Sequence, residues 1–438
     1  MSNKNYIDFF RQTSPYIHDH RGKTFVIGIS GEAIQDPNFH CMIHDIALLQ
    51  SLGIHIVLVH GARTQIDSRL TASDIQSKFE QNIRITDEHA MHCIKEAVGS
   101  TRLTIESELS MGMPNSPMYG SRVRTVGGNF IAAQPFGVRN GTDFQWAGEV
   151  RKIDKSAIDS HLKNGSMVLI SPLGFSPTGE IFNLNYHEVA TCIAVELNAE
   201  KLIFISHPTA LLDKDKLLRS LSLSQLAELQ ETTKEQQQME LLDAAATACH
   251  GGVERVHLVG FAEDGALLSE LFTRDGSGTL ISRECKNTIR LATIDDVGGI
   301  LDLITPLENQ GFLVRRSREL LETEITRFTL VVHPEGLIIG CAALYPTSNE
   351  SLGELACVAV HEDFHDQGIG ARLLAKIEDY SRESGMDRLM AMTTKTAHWF
   401  IERGFTEVKI SDLPDSKQEM YNYQRNARIF EKRFSPRA

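Results

Sequence analysis

The chain has 438 residues, of which 42% are hydrophobic and 23% are charged, and its formal net charge is −13. This composition is typical of a globular protein, and the length is expected to give two or three domains. The acidic balance argues against a general nucleic-acid binder and against binding to anionic membranes.

Strand-like and helix-like segments alternate through the first two thirds of the chain. KTFVIGIS and GIHIVLVHG are predicted strands, joined by a helix that ends at Gly53, and a long helix is predicted to begin at Thr86, whose hydroxyl would cap it. Residues 127–148 have hairpin character. Later come the strands SMVLISPLG, KLIFISH and RVHLVGF, the helix NYHEVATCIAVELNA, and one continuous helix across ETTKEQQQMELLDAAATA. The repeated β-α-β units predict an α/β domain whose mainly parallel sheet is flanked by helices.

The pattern starts again near Thr288, which predicts domains over 1–285 and 288–438. IRLATIDDVGGILDLI predicts a strand and a helix, and ELLETEITRFTLVVHPEGLIIGCAALY predicts a helix and two strands joined by a turn at HPEG. The strand LGELACVAV precedes the amphipathic helix GARLLAKIEDYSRESG, which Gly385 can close. DRLMAMTT and FTEVKI are further strands, on either side of the short helix HWFIERG. This order predicts a C-terminal α+β domain.

Targeting and cysteine signals narrow the class of protein. MSNKNYIDFFRQ has no apolar signal core and no run of eighteen apolar residues follows, so a cytoplasmic location is expected. The seven cysteines are scattered, without a CxxC pair. We therefore expect neither a disulfide framework nor a metal site.

The stretch GELACVAVHEDFHDQGIGARLL, residues 353–374, joins a strand to a helix through a glycine-bearing loop. Gly368 and Gly370 allow close backbone approach, and the N–H groups of residues 366–371 would converge at the positive end of the helix. Such a cradle can hold a pyrophosphate without a metal. A plain glycine-rich connection is the alternative.

The C-terminal part resembles the GNAT acetyltransferases in the order of its elements. This order is a strand, a GxG loop, a helix, a second strand and then the segment WFxxRGF at residues 399–405. That family binds the pyrophosphate of acetyl-CoA at a [Q/R]xxGx[G/A] loop, and HDQGIG aligns with it, with His365 in the place of Gln or Arg. The resemblance implies that acetyl-CoA is the cosubstrate and that its pantetheine arm lies along residues 358–360. The acetyl-CoA site then comprises Cys357, Val358, Ala359, Val360, His365, Asp366, Gln367, Gly368, Gly370 and Ala371.

Acetylation of an amine requires a base for the ammonium, a donor for the thioester oxyanion and protection of the leaving thiolate. Glu354 is the candidate base, and Thr393, at the end of the next strand, is the candidate hydroxyl for the thiolate. A backbone N–H near Cys357 or Val358 is the candidate oxyanion donor. Cys357 itself is an alternative acyl-carrying nucleophile, but it has no visible base, so a packing role and direct transfer in a ternary complex are favoured.

Arginines can hold an acidic substrate because their guanidinium groups bind carboxylates bidentately. LVRRSREL offers Arg315, Arg316 and Arg318, and YQRNARIF offers Arg425 and Arg428. Two arginines from these separate segments would suit the two ends of a dicarboxylic amino acid. An ordinary surface role is the alternative for each of them.

The first two thirds resemble the amino-acid kinase fold, and specifically the N-acetylglutamate kinases, in FVIGISGEAI, LVHGARTQI, NLNYHEVATCIA, KLIFISH and ELFTRDGSGT. Working kinases of that family carry a lysine where this chain has Gly28, and acids where it has His187 and His207. Glycines are replaced by Ala62 and Arg63. Phosphoryl transfer depends on positioned charge, so the resemblance implies a degenerate kinase domain kept as a scaffold.

The segment HLVGFAEDGALLSELFTRDGSGT resembles the arginine-binding signature of arginine-inhibited N-acetylglutamate kinases. Glu270 would pair with the guanidinium, His257 would lie on the facing strand, and the turns at Gly276 and Gly278 would expose backbone groups to the amino-acid end. Tyr16, in IDFFRQTSPYI, would belong to a helix that closes over arginine. Completion of the sheet is the alternative role of these residues.

Together the two parts resemble the bacterial N-acetylglutamate synthases. The resemblance implies acetyl transfer from acetyl-CoA to the α-amino group of L-glutamate, inhibition by L-arginine, and a homo-oligomer, commonly a hexamer, that senses arginine through its kinase-like domain. It also implies a glutamate site formed by Leu313, Arg316, Cys357 and Arg425. A GNAT acting on another amine, a kinase-active enzyme and a non-catalytic arginine sensor are the alternatives.

Overall fold

The computed structural model describes residues 13–80, 82–112, 118–207, 209–213, 216–273, 276–283, 287–333, 336–347, 351–365, 368–412, 418 and 427–434. The chain divides into two compact units, an N-terminal unit, Met1–Cys285, and a C-terminal unit, Lys286–Ala438. Each unit is described by itself below. Asp366, Gln367 and Arg425 lie outside the described residues.

The N-terminal unit alternates helices and strands. Its helices are α1 (residues 13–20), α2 (Gly31–Gln35), α3 (Phe39–Ser51), α4 (Arg63–Ala72), α5 (Glu88–Leu109), α6 (Lys155–Lys163), α7 (Tyr186–Leu197), α8 (Leu223–Thr232), α9 (Gln236–His250) and α10 (Ala266–Phe272). Its strands are β1 (Thr24–Ile29), β2 (His55–His60), β3 (Lys78–Glu80), β4 (Ile83–Ile85), β5 (Thr125–Val126), β6 (Ile131–Pro135), β7 (Val138–Arg139), β8 (Thr142–Asp143), β9 (Gly148–Ile153), β10 (Met167–Ile170), β11 (Leu173–Phe175), β12 (Ile181–Asn183), β13 (Lys201–His207), β14 (Leu212–Asp213), β15 (Lys216–Leu217), β16 (Ser220–Ser222), β17 (Arg255–Gly260) and β18 (Thr279–Ser282).

Within the described residues, the main sheet of this unit has eight strands in the order β16-β18-β17-β13-β1-β2-β10-β5. All neighbouring strands are parallel except β17 and β18. Helices α6 to α9 bury one face of the sheet, and α3, α10 and the end of α5 bury the other. Burial on both faces explains the continuous apolar runs of β1 and β2. The predicted hairpin region forms β6 to β9, which pair antiparallel.

Two local predictions for the N-terminal unit were wrong. The long helix α5 is capped by Asp87, whose carboxylate accepts from the Ala90 N–H at 2.8 Å, whereas the Thr86 hydroxyl donates to the Arg84 carbonyl. An acidic cap one residue later also places its charge at the positive helix end. The polar helix near residue 235 is in fact two helices, α8 and α9, because the chain becomes extended from Thr233.

The C-terminal unit is a mixed sheet covered by helices. Its helices are α11 (Val297–Asn309), α12 (Arg318–Glu324), α13 (Ile369–Glu383) and α14 (Ala397–Ile401). Its strands are β19 (Thr288–Leu291), β20 (Phe328–Val332), β21 (Ile338–Pro346), β22 (Leu352–Val360), β23 (Arg388–Thr393), β24 (Thr406–Val408) and β25 (Arg428–Arg433).

Within the described residues, these strands form one seven-stranded sheet in the order β19-β20-β21-β22-β23-β25-β24. Neighbouring strands are antiparallel except β22 and β23, which are parallel and joined through α13. Helices α11 and α12 pack on one face, and α13 and α14 pack on the other. The predicted α+β arrangement is therefore observed, and Gly385 closes α13 with φ of 80°.

Candidate active site and effector site

The parallel strands β22 and β23 separate part of the way along their length. They pair from Leu352 to Leu355, opposite Arg388 to Ala391. Beyond that point β22 continues along β21, while Met392 and Thr393 of β23 pair with β25. The sheet therefore opens into a gap between its two central parallel strands. A gap of this kind presents backbone groups of both strands to a ligand that enters between them.

A β-bulge lies on β22 immediately beyond the last paired residue. Cys357 and Val358 together face Ala342 of β21, and Cys357 has φ of 51°, in the left-handed region. A bulge removes peptide groups from the regular ladder and re-aims them. Cys357 is thus not the ordinary strand residue that the sequence predicted, although its side chain is buried in the core beneath α11. The bulge places a peptide group of residues 357–358 beside the gap.

Glu354 and Thr393 approach the gap from its two strands. Glu354 is only 9% exposed and is in register with Tyr345 on one side and Met390 on the other. Side-chain alternation assigns Thr393 to the opposite face of the sheet from Glu354. The Thr393 hydroxyl contacts the Thr396 hydroxyl at 2.9 Å and accepts from two backbone N–H groups at the start of α14. Because Glu354 and Thr393 lie on opposite faces of the sheet, they can act on the same reactants only if these bind in the gap between the two strands.

Helix α13 begins beside the end of β22. Gly368 is its N-cap, with φ of 71°, a conformation that favours glycine. Gly370 has a different role, because a Cβ there would lie 3.1 Å from the Trp399 ring. The exposed His365 ring contacts the Val360 carbonyl at 3.1 Å, so this side chain is directed back toward the strand. The N-terminal end of a fifteen-residue helix therefore faces the loop that leaves β22.

Arg316 is the arginine that lies close to the bulge. Its backbone N–H donates to Glu308 at 3.0 Å, and its guanidinium donates to the Val314 carbonyl at 3.1 Å. Burial acts to lower the pKa of this guanidinium, but nearby Cys357 and Tyr345 outweigh burial and raise the pKa. The pKa of the Cys357 thiol is lowered, first by a hydrogen bond with Cys341 and in addition by the positive charge of Arg316. Two predicted substrate residues, Arg316 and Cys357, thus lie together.

The other candidate arginines in the described residues bind other partners: Arg315 donates to Asn309, Arg318 to Glu322, and Arg428 to Glu407. Each of these three side chains is exposed. Leu313 is half-buried and packs against the core of the same loop as Arg316. Among the described candidates, only Arg316 combines partial burial with proximity to the bulge.

Tyr345 joins this site without having been predicted from the sequence. Its hydroxyl donates to Glu324 at 2.7 Å, and burial, followed by this bond, raises the pKa of Tyr345 to about 12. The nearby Arg316 guanidinium acts in the opposite direction and lowers that pKa. Tyr345 therefore lies near Arg316, on the same face of the sheet as Glu354. The sequence signal was a single tyrosine at the end of the apolar run GCAALY.

A second polar cluster is buried in the N-terminal unit. Lys201 donates to Nε2 of His257 at 3.1 Å, which assigns the proton to Nδ1, and Nδ1 donates to Glu270 at 2.7 Å. His257 is fully buried, and Lys201 and Glu270 are less than a tenth exposed. Sequence reasoning missed Lys201. The available signal was a lone cation at the start of the apolar strand KLIFISH.

The glycines of this cluster are fixed by close contacts with Glu270. The second carboxylate oxygen of Glu270 accepts from the Ser277 N–H at 3.0 Å and from the Gly278 N–H at 2.6 Å. A Cβ at Gly276 would lie 2.6 Å from that oxygen, and one at Gly278 would lie 2.7 Å from the Leu258 carbonyl. The sequence predicted that these turns expose backbone groups to a ligand. Instead, the N–H groups of residues 277 and 278 bind Glu270.

The first helix covers the same cluster. His20 contacts the Leu271 carbonyl at 3.0 Å, and burial, with Lys201 nearby, lowers the pKa of His20 to about 4. Its ring lies 5.7 Å from that of Phe272. Tyr16 is half-buried and packs against the same core. The structure therefore brings His257, Glu270, Gly276 and Gly278 together next to the helix that carries Tyr16, and their role in binding arginine stays a prediction.

Side chains pack closely against glycines of β1 and of the loops that follow β1 and β2. A Cβ at Gly28 in β1, where kinases carry lysine, would lie 2.9 Å from the Phe204 ring. Tyr186 packs 3.1 Å from the corresponding Cβ position of Gly61, and Thr64 and Gln65 lie close to that of Gly31. A lysine at position 28 would therefore require Phe204 to move.

Among the described residues, no group of three or more His, Cys, Asp and Glu side chains is arranged to hold a metal ion. Within the same ranges, no helix has the length and apolar character needed to cross a membrane. The seven cysteines include Cys41, Cys93, Cys192, Cys249, Cys341 and Cys357, which are free thiols.

Family models match both units. A model of the amino acid kinase family matches residues 23–260, and a model of the acetyltransferase (GNAT) family matches residues 301–405. The first lies within the N-terminal unit and the second within the C-terminal unit.

Similar proteins match almost the whole chain. An amino-acid acetyltransferase of Azotobacter vinelandii is 52% identical over 430 residues, which cover 98% of this chain and 99% of that protein. One from Pseudomonas syringae is 51% identical over 428 residues, with the same coverage of both chains. A crystal structure of N-acetylglutamate synthase from Neisseria gonorrhoeae with coenzyme A and L-arginine is 37% identical, with a TM-score of 0.81 over 98% of this chain and 100% of that chain. Another, with coenzyme A and N-acetyl-glutamate, is 38% identical, with a TM-score of 0.61 over the same shares.

Proposed function

Because this chain belongs to the amino-acid acetyltransferase family, we propose that it transfers the acetyl group of acetyl-CoA to the α-amino group of L-glutamate. The predicted resemblance to bacterial N-acetylglutamate synthases and the predicted fold class are confirmed by the two family models and by the Neisseria structure. That structure contains coenzyme A, and a second one contains N-acetyl-glutamate. The substrates, the catalytic residues and arginine inhibition are our proposals for this chain.

The gap between β22 and β23 is the observation that carries this proposal. It opens beyond Leu355 and Ala391, with Glu354 just before it on β22 and Thr393 at the end of β23, and the bulge at Cys357 and the start of α13 border it. Acetyl-CoA would enter with its thioester in the gap and its pyrophosphate at the N-terminal end of α13, where N–H groups and the helix dipole favour an anion. Residues 358–360 would bind the pantetheine arm through their backbone. Asp366, Gln367 and Ala371 would complete the loop and first turn around the pyrophosphate.

The proposed mechanism is direct transfer. Glu354 accepts a proton from the substrate ammonium, which leaves the amine free to attack the thioester carbonyl. A peptide N–H of residues 357–358 donates to the oxygen that becomes negative, an arrangement that stabilises the transition state more than the ground state. Thr393 donates its hydroxyl proton in a hydrogen bond to the departing thiolate. Nitrogen gains the acetyl group and releases its second proton, and CoA leaves with the electrons of the broken C–S bond and takes up that proton as the free thiol.

Arg316 and Arg425 would hold the two carboxylates of glutamate, and Leu313 would line the site. The Arg316 guanidinium donates to the Val314 carbonyl near Tyr345, and a guanidinium has more donors than this contact uses. An amide in place of a carboxylate would leave one of these cations unpaired. L-Glutamine should therefore be a poor substrate.

Phosphoryl transfer is not part of the proposed activity. Kinase catalysis needs positioned cations and acids around the phosphate, and Phe204 fills the space over Gly28. We propose instead that the N-terminal unit senses arginine and supports a homo-oligomer, with a hexamer as the expected size.

The proposed arginine site comprises Tyr16, His257, Glu270, Gly276 and Gly278, together with Lys201. L-Arginine is bound in the Neisseria structure that this chain resembles. Glu270 already accepts three hydrogen bonds, but its first oxygen uses only the one from His257 and can accept from a guanidinium. Lys201 supplies a cation for the ligand carboxylate.

The function is tested by measuring CoA release from acetyl-CoA with L-glutamate, L-glutamine, L-aspartate and polyamines. We expect release that depends on L-glutamate, at least about 100-fold above L-glutamine in kcat/KM, because a missing charged partner leaves a buried group unpaired. Equal rates with several amines would mean that the protein is a GNAT acetyltransferase with a different substrate specificity. Consumption of ATP with N-acetylglutamate would contradict the scaffold role.

Replacement of Glu270 by Gln tests the effector site. We expect the arginine concentration for half-inhibition to rise by at least about tenfold, because a charge-assisted hydrogen bond to the guanidinium is lost. Inhibition curves at fixed L-glutamate measure this shift. The matched control is Glu263→Gln, at an exposed position before α10, and its curve should match wild type. An unchanged curve for Glu270→Gln would place the arginine site elsewhere.

A further inference from the structure

The N-terminal unit contains a cavity that neither the proposed acetyl transfer nor the proposed arginine site uses. It lies at the carboxyl ends of β1, β2 and β13 and has a volume of about 420 Å³. This volume is within the range of small-ligand pockets in proteins. The starts of α4 and α7 and one face of α9 form its walls.

His187 is the feature of this cavity that calls for a ligand. The side chain lines the cavity and the residue is 8% exposed, yet neither ring nitrogen has a hydrogen-bond partner among the residues that the structure describes. Burial, with His207 and Arg63 nearby, lowers the pKa of His187 to about 3, so the ring is neutral. A neutral imidazole carries one donor and one acceptor. Buried polar groups are nearly always paired, which makes this ring a docking point for an uncharged polar group.

An ion pair beside His187 is only loosely made. Arg63 and Glu240 are 3.7 Å apart, and Glu240 lies 3.9 Å from Nδ1 of His187. Charge-assisted hydrogen bonds are usually close to 2.8 Å, so about 1 Å of slack remains. Arg63 is partly exposed on a flexible stem, and rotation of its side chain would open the pair. Opening would present one cation and one anion to the same ligand.

The cavity does not suit a nucleotide. Arg84 is already bound to Asp67 at 2.7 Å, so it does not offer a second uncommitted cation. The charged residues that line the cavity are mostly acidic: Glu32, Glu188, Glu240 and Asp243, against Arg63 and Arg84. A polyphosphate would meet repulsion from this wall. Thr64, Gln65 and Tyr186 also crowd the backbone at Gly31 and Gly61, where a phosphate would have to approach closely.

We propose that this cavity binds a zwitterionic α-amino acid with an uncharged polar side chain. Arg63 binds its carboxylate, Glu240 binds its ammonium, and His187 hydrogen-bonds its side-chain amide or hydroxyl. The ligand class is thus different from that of the proposed arginine site, where Lys201 donates to His257 and His257 donates to Glu270. The proposal concerns binding alone and requires no chemistry.

Fluorescence of the full-length chain can test this site in isolation from the acetyltransferase unit. The sequence has two tryptophans, Trp146 in the N-terminal unit and Trp399 in the C-terminal unit. Trp146 directly precedes Ala147 and Gly148 in the cavity wall. In the Trp399→Phe variant, emission therefore reports on this cavity. The probes are L-glutamine, L-asparagine, L-serine and L-threonine, each titrated to about 10 mM without acetyl-CoA.

We expect saturable emission changes with at least one probe. Glu240→Gln and His187→Phe should each weaken that binding by about tenfold or more, and the matched control Glu228→Gln, exposed on α8, should not. If His187→Phe perturbs folding, Glu240→Gln alone still tests whether the cavity binds the ligand. N-Acetyl-L-glutamine, which lacks the ammonium, should bind at least about tenfold more weakly than L-glutamine.

Three results would overturn the proposal. They are no saturable response to any of the four probes, binding that survives Glu240→Gln unchanged, and tighter binding of Mg-ATP than of every probe. Because the readout needs no acetyl-CoA, it is independent of whether L-glutamate is the acetyl acceptor. If the cavity binds none of the probes, the proposed acetyltransferase activity is unaffected. If L-glutamate is not the acetyl acceptor, the proposed amino-acid site is equally unaffected.

Discussion

Replacement of Glu354 by Gln is expected to lower kcat for L-glutamate acetylation by about 10²- to 10⁴-fold, the usual contribution of a general base. The change keeps the size of the side chain and removes its ability to accept a proton. Glu354 is 9% exposed beside the gap between β22 and β23, so bulk water is a poor substitute for it. KM for acetyl-CoA should change little because the proposed cofactor contacts begin beyond the bulge.

Steady-state assays of CoA release over a range of pH would measure this effect. The deficit of Glu354→Gln should shrink as the pH rises, because a growing fraction of the substrate amine is already unprotonated. Glu383→Gln, at the exposed end of α13, is the matched control and should keep wild-type kinetics. A kcat within about threefold of wild type at neutral pH would remove Glu354 from the role of base.

The fold could be predicted from the sequence because the patterns that indicate its strands and helices are local and repeated. The apolar runs of β1, β2 and β13 and the helix α7, which Asn185 and Asn198 cap, could be predicted directly from the sequence. The cap of α5 was placed one residue early, since Thr86 and Asp87 are both good caps and only the hydrogen bond to Ala90 distinguishes them.

The site was harder to predict from the sequence because it depends on the pairing register of neighbouring strands. The sequence shows nine strand residues from Leu352 to Val360, but the bulge at Cys357 exists only through its mismatch with β21. Tyr345 was missed for the same reason, since its place opposite Glu354 follows from antiparallel pairing across two strands. Lys201 was missed because a lysine at a strand start is normally exposed, whereas this one is buried on His257.

Replacement of Arg316 by Gln is expected to raise KM for L-glutamate by about 10- to 100-fold. Loss of a charge-assisted hydrogen bond to a carboxylate costs about 1.5–3 kcal/mol, which corresponds to this range. Arg316 is half-buried and its guanidinium donates to the Val314 carbonyl, and a glutamine in its place would leave the substrate carboxylate without a charged donor. Arg316→Lys should recover only part of the loss, because an ammonium cannot form the bidentate contact.

The decisive measurement is the change in specificity, since a merely structural role for Arg316 would weaken all substrates alike. kcat/KM for L-glutamate should fall in Arg316→Gln while the low value for L-glutamine stays nearly constant, so the preference for glutamate collapses. Arg315→Gln, one residue away and exposed, is the control and should keep the preference. A parallel loss for both amino acids would instead mean that Arg316 supports the bulge at Cys357. A rise confined to KM for acetyl-CoA would move Arg316 from the glutamate site to the cofactor site.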